Sequence, residues 1–89
     1  MTDEEKKQEV LREKTVIVEQ LCRLLNLPSS TRWLWGMAGR LRRNYGTALT
    51  VETLSRQWPG RPLKYYTGAV RNEFAKAASY RLPAGVHKA

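Results

Sequence analysis

Apolar residues return along the first third of the chain at helical spacing. Val10, Leu11, Ile17, Val18, Leu21, Leu24 and Leu25 lie three, four or seven positions apart, which puts them on one stripe of an α-helix. Thr2 and Glu5 have the spacing of a capping box, in which hydroxyl and carboxylate each accept a bond from an otherwise unpaired backbone N–H. Asp3 and Glu4 suit the positive end of the helix dipole. A first helix is therefore expected within residues 1–27, and its first two turns, which carry no stripe, are expected to project or fray. Lys14 interrupts the stripe and argues against a long coiled coil. Leu27-Pro28-Ser29-Ser30 then reads as a helix stop followed by capping residues.

Three further helices follow from the same reasoning. Leu34, Met37, Ala38, Leu41 and Tyr45 form the buried stripe of a second helix, capped by Ser29 or Ser30 and closed at Asn44-Tyr45-Gly46 by a left-handed glycine. Trp33 and Trp35 fall on opposite edges of that stripe, so at least one is expected to be partly exposed. Thr50 reads as the cap of a short third helix, with Leu49 and Leu54 as a hydrophobic staple and Val51, Leu54 and Trp58 on its buried side. Pro59-Gly60 breaks the chain. A fourth helix opens with Pro62 in its first turn and runs to about Leu82, stopped by Pro83 and Gly85, with Leu63, Tyr66, Val70, Phe74 and Ala77 facing inward. The expected fold is all-α: a compact bundle of about four helices in a single domain, residues 1–89. Its parts are a near-neutral N-terminal helix (1–27), a basic helical core (28–82) and a flexible tail (83–89).

Composition narrows the class. Eighty-nine residues leave no room for a second core. Leu, Ile, Val and Phe number nineteen, just above the level of about 20% at which disorder becomes the default, so a modest core is expected. No apolar run approaches the roughly 20 residues of a membrane span, and the charged N-terminus lacks the apolar segment of a signal peptide. One cysteine, Cys22, precludes an internal disulfide, and at the border of the first stripe it reads as a small hydrophobe rather than a nucleophile. The one histidine, His87, lies in the tail, which argues against a Cys/His metal site. A cytoplasmic protein without metal, cofactor or membrane partner is expected.

Charge changes the picture most. The chain carries sixteen Lys and Arg against eight Asp and Glu, a net of +8, which points to a polyanionic partner. Residues 1–27 carry six acids and five bases, whereas residues 28–89 carry eleven bases and only Glu52 and Glu73. On the second helix Arg32, Arg40 and Arg43 fall opposite the buried stripe, with Arg42 on a flank. A solvated charged face and a phosphate-binding face are both open readings there. On the fourth, the outward face carries Gly68, Asn72, Ala75 and Ser79, flanked by Lys64 and Arg71 on one side and Tyr65 and Lys76 on the other. Small residues along the middle allow close approach to a surface, and the edges offer phosphate and base-edge contacts. An ordinary solvent-facing helix is the alternative.

Leu49 to Phe74, LTVETLSRQWPGRPLKYYTGAVRNEF, resembles a helix-turn-helix: a short capped helix, a connection, and a longer basic helix. The W-P-G-R-P connection is longer and richer in proline than the usual turn, and Arg56 stands near a position where the family has a small residue. In that family the second helix enters the major groove of DNA while the first crosses the backbone. The resemblance implies that Lys64, Tyr65, Gly68, Arg71, Asn72 and Lys76 form a recognition face and that Arg56 and Arg61 contact phosphates. It also implies a setting in transcription or replication control.

Catalysis is not expected. Gly36 and Gly39 lie in a helical pattern without the following Lys-Ser/Thr of a phosphate loop, and two carboxylates, Glu52 and Glu73, are too few to suggest metal-assisted chemistry. The reading is a small nucleic-acid-binding protein acting on DNA in preference to RNA, most directly on duplex DNA through the fourth helix supported by the second. The alternatives are a non-sequence-specific helical subunit of a nucleoprotein complex, with Trp33, Trp35 or Tyr65 stacking on single-stranded bases, and an adaptor or inhibitor docking on an acidic protein. Residues 10–25 are available in each case for a second copy or a protein partner.

Overall fold

In the computed structural model, which describes residues 2–81, both halves of the first capping box form: Glu5 N–H donates to Thr2 Oγ1 at 3.2 Å and Thr2 N–H to Glu5 Oε1 at 3.0 Å. The Thr2 N–H first and the Thr2 hydroxyl second, both donating to Glu5 Oε1, hold the exposed Glu5 carboxyl below the usual carboxylate range. Four helices follow: α1 (Asp3–Leu25), α2 (Arg32–Tyr45), α3 (Thr47–Ser55) and α4 (Leu63–Arg81). The described residues contain no strand, and the fold is all-α. α1 ends on Asn26 in the left-handed region at φ 56°, a conformation that asparagine tolerates better than most residues. The tail 83–89 and the stop at Pro83 and Gly85 lie outside the described residues.

The core takes one stripe from each helix: Ile17, Val18, Leu21 and Leu24 from α1, Leu34, Ala38 and Leu41 from α2, Leu54 from α3, and Tyr66 and Val70 from α4. Each large aliphatic side chain so enclosed contributes about 1.5–3 kcal/mol relative to leaving it in water. α1 and α4 each pack on α2 and α3 and make at most marginal contact with one another. The middle pair therefore separates them, in a slab of 50 × 40 × 17 Å. The N-terminal end of α1 outruns its partners: Asp3 to Glu9 are exposed, and so is Leu11. Of residues 10–25, the apolar centre is occupied by the chain's own core, and Leu11 and Val16 remain outside it. Lys14, the break in the stripe, crosses α2 at the buried Gly39, where a Cβ would lie 3.1 Å from Lys14 Cε.

Several features depart from the sequence reading, among them that α4 begins at Leu63, after Pro62. α2 is capped by Thr31, without a side-chain bond, and not by Ser29 or Ser30. The Ser29 carbonyl instead accepts the Trp35 indole N–H at 2.7 Å, which holds the preceding turn against the helix. α3 begins at Thr47, so Thr50 lies inside it rather than capping it. The joint is one residue, Gly46, at φ 88°, whose carbonyl takes both the N–H of Thr50 and its hydroxyl, the latter at 2.7 Å. Trp58 is 82% exposed and not buried, because α3 stops at Ser55 and the helical phase that aligned Trp58 with Val51 and Leu54 ends there. Phe74 is a smaller deviation, 41% exposed but packed edge-on against Tyr45 with ring centroids 5.2 Å apart.

Polar contacts between elements set their relative positions. Arg23 on α1 donates to the carbonyls of Leu54 at 3.0 Å and Gln57 at 3.4 Å, supplying a cation to the end of α3. The fully buried Tyr66 on α4 donates its hydroxyl to the Trp58 carbonyl at 2.7 Å and accepts the Arg61 N–H at 3.0 Å. That single hydroxyl fastens both sides of the α3–α4 connection. Glu13 on α1 accepts from Thr47 Oγ1 at 2.8 Å and from Arg42 Nε at 2.7 Å, joining three helices.

The Thr47 hydroxyl first and the Arg42 guanidinium second hold the Glu13 carboxyl below its ordinary 4.5. A carboxyl lowered by folding adds stability that is fully present above its unfolded value and lost as pH falls through its folded one. The stability advantage of wild type over Glu13→Gln is therefore expected to be constant near neutrality and to shrink below about pH 4.5. Urea denaturation of both proteins across that range checks it, and a pH-independent difference contradicts it.

Candidate nucleic-acid interface

α4 is a ridge between two grooves. Its inward side is set by Tyr66 and Val70, both without exposure. The helical phase then brings Asn72, Ala75 and Ser79 to the crest, all exposed, together with the half-buried Gly68. Gly68 has open space where a Cβ would stand, so the glycine is not required by packing within the chain. Its usual helix cost, about 1 kcal/mol relative to alanine, has no internal compensation.

The groove between α2 and α4 is lined by Met37, Arg40, Asn44, Lys64, Thr67 and Arg71, among others, and by Gly68 at the crest. It brings together three predicted cations from two helices. No acidic side chain among the described residues forms an ion pair with Arg40, Lys64 or Arg71. Lys64 and Arg71 lie seven positions apart on one side of α4, about 10 Å along its axis. Asn44 and Thr67 add hydrogen-bonding groups. Three positive charges, amide and hydroxyl groups and exposed solvent access suit an anion with several phosphates better than a single small ion.

The groove between α3 and α4 is chemically different. Arg56, Tyr65, Asn72, Glu73 and Lys76 line it, but Arg56 pairs with Glu73 at 3.6 Å and Glu52 at 3.9 Å, and Lys76 pairs with Glu73 at 3.3 Å. Exposed pairs of this kind stabilise the fold by about 0–1 kcal/mol each. Their larger effect is on the field, since two acids face two bases and leave this flank neutral. Both acids of residues 28–89 thus lie on the α3 side of α4.

The remaining predicted residues are dispersed. Arg61 lies in the connection with its guanidinium 5.2 Å from the centroid of the half-exposed Tyr65 ring. Arg43 faces a third groove, shared with Lys14 and Trp35 against α1. Arg32 is exposed at the first position of α2, apart from these groups. Arg42, on the same helix, is tied to Glu13. Neither Asn44 nor Thr67 carries a site signal in the sequence, where Asn44 belongs to the helix end Asn44-Tyr45-Gly46. The pairing of Arg56 and Lys76 had a signal, the i,i+4 spacing of Glu52 with Arg56 and the i,i+3 spacing of Glu73 with Lys76.

Burial first, and then Glu19, push the Cys22 thiol up from its ordinary value, away from the thiolate a nucleophile needs. Among the described residues no group of three or more His, Cys, Asp and Glu side chains comes together to hold a metal ion. No described helix is long and apolar enough to cross a membrane. The chain matches no protein-family model, no curated protein and no solved structure.

If Glu73 neutralises the α3 flank, removing its charge unmasks Arg56 and Lys76. Glu73→Gln is expected to elute from a heparin column at higher salt than wild type. Glu9→Gln, the same charge change on the projecting end of α1, is expected to shift elution less. Equal shifts contradict the assignment.

Proposed function

We propose that this protein binds nucleic acid, with duplex DNA as the preferred form, and that the α2–α4 groove takes the phosphate backbone while the crest of α4 meets the base edges. The observation that carries the reading is the convergence of Arg40, Lys64 and Arg71 in one groove without a neutralising acid among the described residues. Phosphates held in that groove position the duplex, and contact through Gly68 and Asn72 supplies the sequence information that phosphate contacts lack. The small residues at positions 68 and 75 let the backbone of α4 come close to a groove floor, and Asn72 offers the paired donor and acceptor that adenine matches. Lys76, Arg56 and Arg61 contribute when the approaching phosphates compete with Glu73 or with the Tyr65 ring. Arg32 and Arg43 lie outside the grooves flanking α4 and add long-range attraction. A role in transcription or replication control rests on the helix-turn-helix resemblance alone.

Titrating labelled duplex DNA across a salt series tests the reading. Wild-type affinity is expected to fall with salt at a slope near −0.9 per phosphate neutralised, and Arg71→Ala to reduce the magnitude of that slope by about one. Asn72→Ala is expected to leave the slope unchanged and to reduce discrimination between sequences by about 1–3 kcal/mol. Absence of binding to duplex DNA at low salt overturns the proposal and leaves docking on an acidic protein as the reading of the basic groove.

A further inference from the structure

The connection between α3 and α4 carries an aromatic group that the fold does not use. Trp58 is 82% exposed, although an indole is among the largest apolar surfaces a chain can bury. Its backbone is nonetheless held firmly. The Trp58 carbonyl accepts the buried Tyr66 hydroxyl at 2.7 Å, and the same hydroxyl accepts the Arg61 N–H at 3.0 Å. Gln57 N–H donates to Leu54 at 3.1 Å, and Arg23 reaches the Gln57 carbonyl at 3.4 Å. Pro59 and Pro62 restrict the turn, and Gly60, at φ 106°, makes the reversal that a residue with a side chain would resist. An outward indole on an anchored turn loses little further backbone freedom when it meets a partner.

The surroundings indicate what that partner is. No acid occurs between Glu52 and Glu73. The turn carries Arg61 stacked on Tyr65, and the next helical residues, Leu63 and Lys64, open the ridge at the end where Lys64 enters the cationic groove. A flat, exposed aromatic surface three residues ahead of Arg61 and six ahead of the groove cation Lys64 matches a nucleobase with its attached backbone. Bases within a continuous duplex present no free face to it, whereas an unpaired base does.

We propose that Trp58 is a stacking platform for an unpaired base, so that the protein prefers duplex DNA carrying a single-stranded tail over blunt duplex. The proposal rests on the nucleic-acid reading of the α2–α4 groove and goes beyond it by assigning the turn its own ligand. Binding of a blunt duplex and of the same duplex with a single-stranded tail, measured at one salt concentration, tests it. Wild type is expected to bind the tailed duplex more tightly. Trp58→Ala is expected to weaken tailed-duplex binding by roughly 5- to 150-fold, the range that base–aromatic stacking spans, and to leave blunt-duplex affinity unchanged. Trp58→Phe is expected to retain much of the preference, because stacking needs a ring and not the indole N–H. Equal affinities of wild type for both duplexes, or a Trp58→Ala protein that keeps the wild-type preference, overturns the stacking proposal and leaves the groove reading intact. Failure of wild type to bind either duplex overturns both. Since Trp58 packs against little of the chain, its variants are expected to keep the wild-type helical circular dichroism.

Discussion

The roll of α4 about its own axis is the constraint from which the surface chemistry follows. Tyr66 fixes it: the ring is fully buried in the core, and its hydroxyl is bonded on both sides of the α3–α4 connection. Val70, one turn on, keeps the same face inward. With that face buried, helical geometry leaves no freedom in where Lys64, Arg71, Glu73 and Lys76 lie. A rotation of one residue would carry Glu73 away from Arg56 and alter the charge of both grooves. A core tyrosine thus decides which basic residues on the surface are free and which are tied.

The consequence is a molecule with unequal flanks. Net charge treats every base in residues 28–89 alike, yet Arg56, Lys76 and Arg42 each have a carboxylate partner while Arg40, Lys64 and Arg71 have none among the described residues. The ion pairs differ in kind as well. Arg42 with Glu13 and Thr47 joins three helices and is partly shielded from solvent, so it serves the fold. The Glu73 pairs are more exposed and add little stability, so their effect is mainly on the field near α4.

Much of the architecture was legible in the residue pattern, and the departures have local causes. Thr2 with Glu5, the stripe from Ile17 to Leu24 and the inward set Leu34, Ala38 and Leu41 could be read because one helix face supplies a strong periodic signal. Thr50 misled because a threonine ahead of an apolar pair resembles a cap, whereas Gly46 already turns the chain and Thr50 bonds back to its carbonyl. Trp58 lies past the end of α3, where its four-residue spacing from Leu54 no longer means about one turn. For the interface, the outward phase of α4 was readable, and so were Lys64 and Arg71 on one side of it. Their union with Arg40 depends on how α2 and α4 pack, a tertiary fact with no local signature. The neutrality of the opposite flank likewise requires Glu73 to meet Arg56 from another helix.

The central claim is that position within the fold, and not net charge, makes one side of α4 the phosphate-binding side. Two double variants remove the same charge from opposite flanks: Lys64→Ala with Arg71→Ala, and Arg56→Ala with Lys76→Ala. The most direct measurement is the salt dependence of duplex DNA affinity for both against wild type. The first pair is expected to reduce the magnitude of the slope by about two, and the second by much less. Equal reductions from the two flanks would contradict the account.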